Sequence, residues 1–259
     1  MSFERRVSTK WTTCEENRLL DYRKEGLTYS QISEKMGRSI SSLKHKYVRL
    51  NQASNKDEYH HPKEKSIQAE EVLNGKEGLS ILETNSGFGN MTSIYSKYGR
   101  VEAQDIDKDK VRALKELTSK TVEVKKCDSF KEMYNQVFQG KIYDVVDLDP
   151  YGFPSRFFPH VFNLIEDGFL FVTFPKMGVQ QINKIMIKHY EVFWGLSLED
   201  KDNQEDLIHD RMAEYAFKSF RSVELIDSID LGRVYRFAYR VKKESALDLV
   251  GLKVKGVNY

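Results

Sequence analysis

Beyond residue 78 the chain alternates between two rhythms. Short runs of consecutive apolar residues mark strands covered on both faces. Between them, apolar residues recur every three or four positions, the mark of amphipathic helices. The pattern predicts strands over 79–83, 100–104, 121–125, 142–148 and 169–174, with helices over 90–98, 107–117, 130–138, 155–165 and 179–188. A longer helix is expected over 203–220, then strands over 223–229 and 233–242 joined by Leu231-Gly232, a hairpin signal. Such alternation means parallel strands joined by crossover helices. An α/β doubly wound sheet ending in an antiparallel hairpin is therefore predicted.

The first 52 residues follow another plan. A helix over 15–25 carries Leu19, Leu20 and Tyr22 on its inner face and stops at Gly26. A second, over 28–36, starts at the cap Thr28 and ends at Gly37, with Ile32 and Met36 at helical spacing. Ser39 caps a third, whose inner face is Leu43, Tyr47 and Leu50. Its opposite face shows Ser42, Lys44, His45, Lys46 and Arg49. Short helix, tight glycine turn and basic helix make a helix-turn-helix plan. Trp11, Glu15, Leu19, Gly26-Leu27-Thr28-Tyr29, Ile32, Met36-Gly37-Arg38-Ser39, Leu43 and Lys46 together resemble a Myb/SANT-type module. That resemblance implies a DNA-binding unit, although related modules also bind proteins.

Charge agrees with this division. Net charge is only +2, but residues 1–52 hold 11 Lys/Arg against 6 Asp/Glu, leaving 30 against 33 in the rest. A basic small module beside a near-neutral large one points to a polyanionic partner. Residues 53–66 are polar and read as a linker, with His60 and His61 as linker residues rather than metal ligands. Residues 67–259 are then expected to form the large α/β domain. Two distant cysteines, Cys14 and Cys127, exclude a disulfide framework and a cysteine-rich zinc site. No metal is expected. The N-terminus lacks a signal-like apolar core, and the longest apolar run, 168–175, is far short of the roughly 20 residues that cross a bilayer. The expectation is an intracellular protein without a membrane partner, cytoplasmic or in the nucleus or nucleoid.

Candidate chemistry sits at the predicted strand ends, where ligands of open α/β sheets bind. The first strand runs into Glu83-Thr84-Asn85-Ser86-Gly87-Phe88-Gly89. A dinucleotide fingerprint would place a third glycine where Thr92 stands, so that reading weakens. The second strand ends at Gln104-Asp105-Ile106-Asp107. Asp105, at its tip, is placed to meet ribose hydroxyls, and Asp107 to cap the next helix. Asp128 follows the third strand, either as a helix cap or as a ligand group. The acid-x3-G-x-G order resembles the first motif of S-adenosylmethionine-dependent methyltransferases of the Rossmann-like class. The resemblance implies S-adenosyl-L-methionine as cofactor. Glu83 would anchor its ammonium, directly or through water. Asn85, Gly87 and Gly89 would form its loop, Asp105 would hold the ribose, and Asp128 the adenine amine.

The fourth strand ends in Asp147-Leu148-Asp149-Pro150-Tyr151-Gly152-Phe153-Pro154. Amino-directed nucleic-acid methyltransferases carry a similar acid–proline–aromatic motif, which implies Asp149, Pro150 and Tyr151 as catalytic residues. The lone pair of an exocyclic amine is delocalised into its base. Two acceptors, the Asp149 carboxylate and the Pro150 carbonyl, would hold its N–H groups and align that lone pair, while Tyr151 stacks on the base. A cytosine-C5 enzyme would need a nucleophilic Cys here, and there is none. Asp-Leu-Asp-Pro-Tyr-Gly-x-Pro resembles most the tRNA guanine-N2 dimethyltransferase family, over roughly 59–175, with Tyr59-His60-His61-Pro62 as a faint upstream match. The expected departures are the lack of that family's C-terminal domain and the helix-turn-helix in front. Lys176, after the fifth strand, stands as either a phosphate contact or a solvated lysine, and Arg211, Arg221, Arg233 and Arg236 are not ranked. Methyl transfer to an exocyclic amine of DNA is the leading expectation. The alternatives are a tRNA guanine-N2 methyltransferase and an inactive methyltransferase-fold protein that binds DNA.

Overall fold

The computed structural model describes residues 11–47, 50, 61–117, 120–177 and 184–245. The chain divides into two compact units, Met1–Pro62 and Lys63–Tyr259.

In the first unit, α1 (Thr13–Lys24), α2 (Tyr29–Met36) and α3 (residues 40–47) surround the fully buried Leu19, Ile32 and Leu43. Both N-termini are fixed locally. Thr12 and Glu15 form a capping box on α1, as do Thr28 and Gln31 on α2. Gly37 closes α2 at φ 65°, a left-handed conformation natural to glycine. Arg38 ties the unit together, donating to Glu15 at 2.9 Å and lying 4.8 Å from the Trp11 ring.

Nearly all of α4 (Pro62–Val72) belongs to the second unit. The span read as a linker is thus helical from Pro62, a residue suited to a first helical position. Lys65, Gln68, Ala69 and Leu73 form its buried stripe at helical spacing. Then follow β1 (Leu79–Thr84), α5 (Asn90–Tyr95), β2 (Gly99–Asp105), α6 (Lys108–Leu117), β3 (Val122–Lys126), α7 (Ser129–Phe138), β4 (Val145–Leu148) and β5 (Asp167–Pro175). Then come α8 (Lys184–His189), α9 (Gln204–Lys218), β6 (Arg221–Asp230) and β7 (Val234–Lys243). Among the described residues, seven strands take the order β3-β2-β1-β4-β5-β7-β6. The first five are parallel, and β7 enters antiparallel between β5 and β6. This is the predicted α/β sheet with its C-terminal hairpin.

The helix expected over 155–165 is instead two 3-10 turns, Ser155–Phe157 and His160–Leu164. Pro159 falls between them, and its ring and missing N–H break an α-helical ladder. Most of the helix expected over 179–188 lies outside the described residues until Lys184. Each central strand is buried on both sides. Ile81, Val145 and Phe171 face α4 and α5, while Leu82, Val146 and Val172 face the other layer. Among the described residues, no helix is long and apolar enough to cross a membrane.

Candidate active site

The sheet register brings the acids together. Glu83 on β1 is the partner of Asp147 on β4, and Thr173 on β5 that of Arg236 on β7. Their strand parity places all four on the α4–α5 face, where an apolar core gives way to buried charge. Asp147 is 1% exposed and Arg236 fully buried. Arg236 grips Asp147 with two nitrogens, Nη2 to Oδ2 at 2.7 Å and Nη1 to Oδ1 at 3.1 Å. Tyr95 Oη donates to the same carboxylate at 2.6 Å. Burial, then the Asp147 charge, raises the Tyr95 hydroxyl well above the usual phenol value, so it remains a donor.

Asp149 continues this face beyond the strand, with its side chain 29% exposed. Lys65 of α4 donates to its Oδ2 at 2.5 Å. Burial works to raise the Asp149 carboxyl, but Lys65 and then Arg236 outweigh it and hold the group below the usual carboxylate value. The carboxylate is therefore ionised and able to accept. Tyr151 is fully exposed, and Gly152 turns the chain at φ 106°. Phe153 stacks on His189 at 5.4 Å and meets Tyr190 edge-on at 4.7 Å.

Glu83, 3% exposed, accepts from Thr92 Oγ1 at 2.5 Å. Burial pushes its carboxyl well above the usual range, and the Asp147 and Asp149 charges add to this. A cation bound beside it would reverse that cost. The following loop turns at Asn85, φ 57°, and at Gly87, φ 59°. Asn85 Oδ1 is buried without a partner. A Cβ at Gly87 would meet only Asn85 O, at 4.0 Å, so this side of the loop is open. An acid that favours a cationic neighbour, an unsatisfied acceptor and open space along a glycine turn fit an aminoacyl sulfonium.

The other predicted contacts are already in use within the chain. Asp105 is 3% exposed and accepts from Gly87 N at 3.0 Å and Asp107 N at 2.8 Å. It fastens the glycine loop to the next turn, so a ribose would share its remaining lone pairs. Asp107 caps α6, accepting from Asp109 N at 2.8 Å. Asp128 caps α7 through Phe130 N at 3.0 Å. Exposed Ile106 and Phe88, 64% and 54%, add apolar surface beside these carboxylates. The adjacent Cys127 thiol is pushed up to about 11 by burial and acidic neighbours, which rules out ready thiolate chemistry. Lys176 pairs with Asp230 at 2.7 Å and lies over Tyr235 at 4.5 Å, so it is engaged within the fold.

On α3, Lys44 and His45 are exposed and Ser42 is half-buried. Lys46 is ion-paired to Glu16 and lies 5.8 Å from the Trp11 ring. Arg49 lies outside the described residues. Sequence reasoning missed Lys65 and left Arg236 unranked. The available signal was a lysine on the same helical stripe as Gln68, Ala69 and Leu73.

No family model and no curated protein matches the chain. Solved structures do. Trm1 from Pyrococcus horikoshii, in complex with S-adenosyl-L-methionine, superposes with a TM-score of 0.57 at 16% identity, over 72% of this chain and 56% of that one. A SAM-dependent methyltransferase from Aquifex aeolicus gives 0.41 at 15% identity, over 68% and 88%. The chain thus spans just over half the length of Trm1. The likeness to Trm1 shows a shared Rossmann-like methyltransferase fold.

Proposed function

We propose that the chain is an S-adenosyl-L-methionine-dependent methyltransferase that modifies an exocyclic amine of a nucleic-acid base, with DNA as the favoured polymer. One observation carries the reading. Asp149 is held ionised at the strand tip, beside a buried acid and an open glycine turn, and ahead of a fully exposed Tyr151. Glu83, Asn85, Gly87, Gly89, Asp105 and Asp128 would hold the cofactor. When bound, it supplies an electrophilic methyl group on a sulfonium. Asp149 and the Pro150 carbonyl accept the amine's N–H groups and turn its lone pair toward the donor side. Tyr151 provides a face for the base, which must leave its stack to arrive there.

The DNA preference rests on the Myb/SANT-like reading of the first unit and on Lys44 and His45 exposed on α3. The direct test incubates the full chain with labelled cofactor and either duplex DNA or tRNA, followed by mass spectrometry of nucleosides. N-methylated bases in DNA are the expected result. Label confined to N2-methylguanosine in tRNA would instead establish the second reading, which Asp149-Pro150-Tyr151-Gly152 favours. Failure to bind cofactor in calorimetry would leave the third, an inactive DNA-binding protein.

A further inference from the structure

Two buried cations face two aspartates at this sheet edge, and each has its own. Both terminal nitrogens of Arg236 are committed to Asp147, with Nη1 also donating to Thr173 Oγ1 at 3.1 Å and Nη2 to Tyr95 Oη at 3.2 Å. Among the described residues, Lys65 makes the direct ion pair with Asp149. It is 3% exposed and arrives from 84 residues away. Its helix is anchored independently. Ala69 and Leu73 are fully buried, and Gln68 Nε2 donates to Asp227 at 2.9 Å and to the Arg236 carbonyl at 3.3 Å. An apolar residue would fill the same stripe without the desolvation cost of a lysine, so the ammonium at this position calls for a specific account.

We propose that Lys65 is a positioning residue of the transfer reaction: it tethers Asp149 by Oδ2, so that Oδ1 is presented to the target amine. This rests on the reading of Asp149 as the amine acceptor. The groups around Asp149 explain why a tether is needed. Glu83 on β1 and Asp147 on β4 are acids, Tyr95 on α5 is neutral, and Thr173 on β5 and Arg236 on β7 favour the ionised Asp149, although Arg236 makes its ion pair with Asp147. Without Lys65, Asp149 would lose the largest influence that keeps it ionised, with two acids still beside it, and would take up a proton more readily. A protonated carboxyl turns a donor toward the amine in place of an acceptor. Loss of the tether would also free the side chain to rotate away from the reacting nitrogen.

The experiment uses the full chain and whichever nucleic acid accepts label. Lys65→Met should lower kcat by about 10²-fold, as misplacement of a reacting group does. It should leave calorimetric cofactor affinity unchanged and move the acidic limb of kcat to higher pH. Lys65→Arg, which keeps the charge, should recover part of the rate. NMR titration of 13C-labelled aspartate carboxyls, with Asp149 assigned through Asp149→Asn, should show its pKa rising in Lys65→Met. A wild-type rate with an unmoved Asp149 titration would overturn the inference. So would equal rate losses in the Met and Arg variants with no shift of the acidic limb. Should Lys65→Met fail to fold, Lys65→Arg decides: a reduced kcat with a still-depressed Asp149 supports the tether, and an unchanged kcat rejects it. If the wild-type protein methylates nothing, the reading of Asp149 falls, while the titration still reports on the pair.

Discussion

Two buried glutamates on neighbouring strands meet opposite fates. Glu102 on β2 is surrounded by donors: Gln104 at 2.8 Å, Gln136 at 2.5 Å, Tyr143 at 3.0 Å, Lys125 at 3.0 Å and Lys141 at 3.3 Å. Burial would raise its carboxyl, but Gln104 and Lys125 lead the donors that bring it below the usual value. Glu83 on β1 has the Thr92 hydroxyl and two acidic neighbours, and is driven the other way. Both side chains are nearly buried, at 8% and 3% exposure. The difference lies in how completely each is satisfied. A carboxylate with its donors in place holds a structure together. One buried with a single donor is poised for a cationic ligand.

The sharpest test of this contrast is at the reacting end. Asp149→Ala should cost about 10²–10³ in transfer rate, the usual effect of removing one electrostatic contact to a reacting group, while cofactor binding survives. Parallel loss of both in calorimetry and kinetics would make Asp149 structural.

Glu83→Gln should follow in size, with about tenfold or greater loss of cofactor affinity, as expected when a charged hydrogen-bond partner is removed. Its pH signature is specific. The folded pKa is raised, so the group favours the folded state below its unfolded value of roughly 4.3, and this stability is lost as pH rises through the raised value. Cofactor affinity should therefore increase with pH, with proton release measurable in buffers of different ionisation enthalpy. Glu83→Gln should also stabilise the ligand-free protein at alkaline pH. A pH-independent affinity would refute the assignment.

Glu102→Ala should destabilise by about 1–3 kcal/mol and leave cofactor affinity unchanged, because it strands buried donors. The sign is reversed here. With a depressed folded pKa, the Glu102 contribution is present above roughly pH 4.3 and disappears as pH falls through the lower value. Denaturant melts of variant and wild type should converge on acidification. The smallest effect is expected in the first unit. Lys44→Ala with His45→Ala should weaken DNA binding and reduce the slope of log affinity against log salt by about 0.9 for each phosphate no longer neutralised. An unaltered slope would move the nucleic-acid interface off α3.

Much of the molecule is legible in its sequence because it is local. Capping residues Thr28 and Asp107, the turns at Gly26 and Gly37, and the strand-tip positions of Glu83, Asp105 and Asp149 depend on neighbours in the chain. Where the sequence falls short, competing partners are the reason. Lys46 has the spacing of a polyanion ligand, yet it pairs with Glu16 inside its own unit. Asp105 has the position of a ribose ligand, and its carboxylate already accepts two backbone N–H groups. Lys65 falls in a polar stretch that resembles a linker, because a buried lysine looks like a solvated one until its partner is known.

That alternating strands and helices build a parallel sheet, with acids and glycines gathered at its carboxyl edge, follows from the order of residues alone. Residue spacing is enough for that, since strand and helix periods dictate which side chains share a face. Packing, by contrast, sets β7 beside β5, brings Arg236 to Asp147 and lays Lys65 of α4 against Asp149. These ion pairs join residues 84 and 89 positions apart. Their energies come from burial and mutual charge, which exist only after the strands and helices have packed.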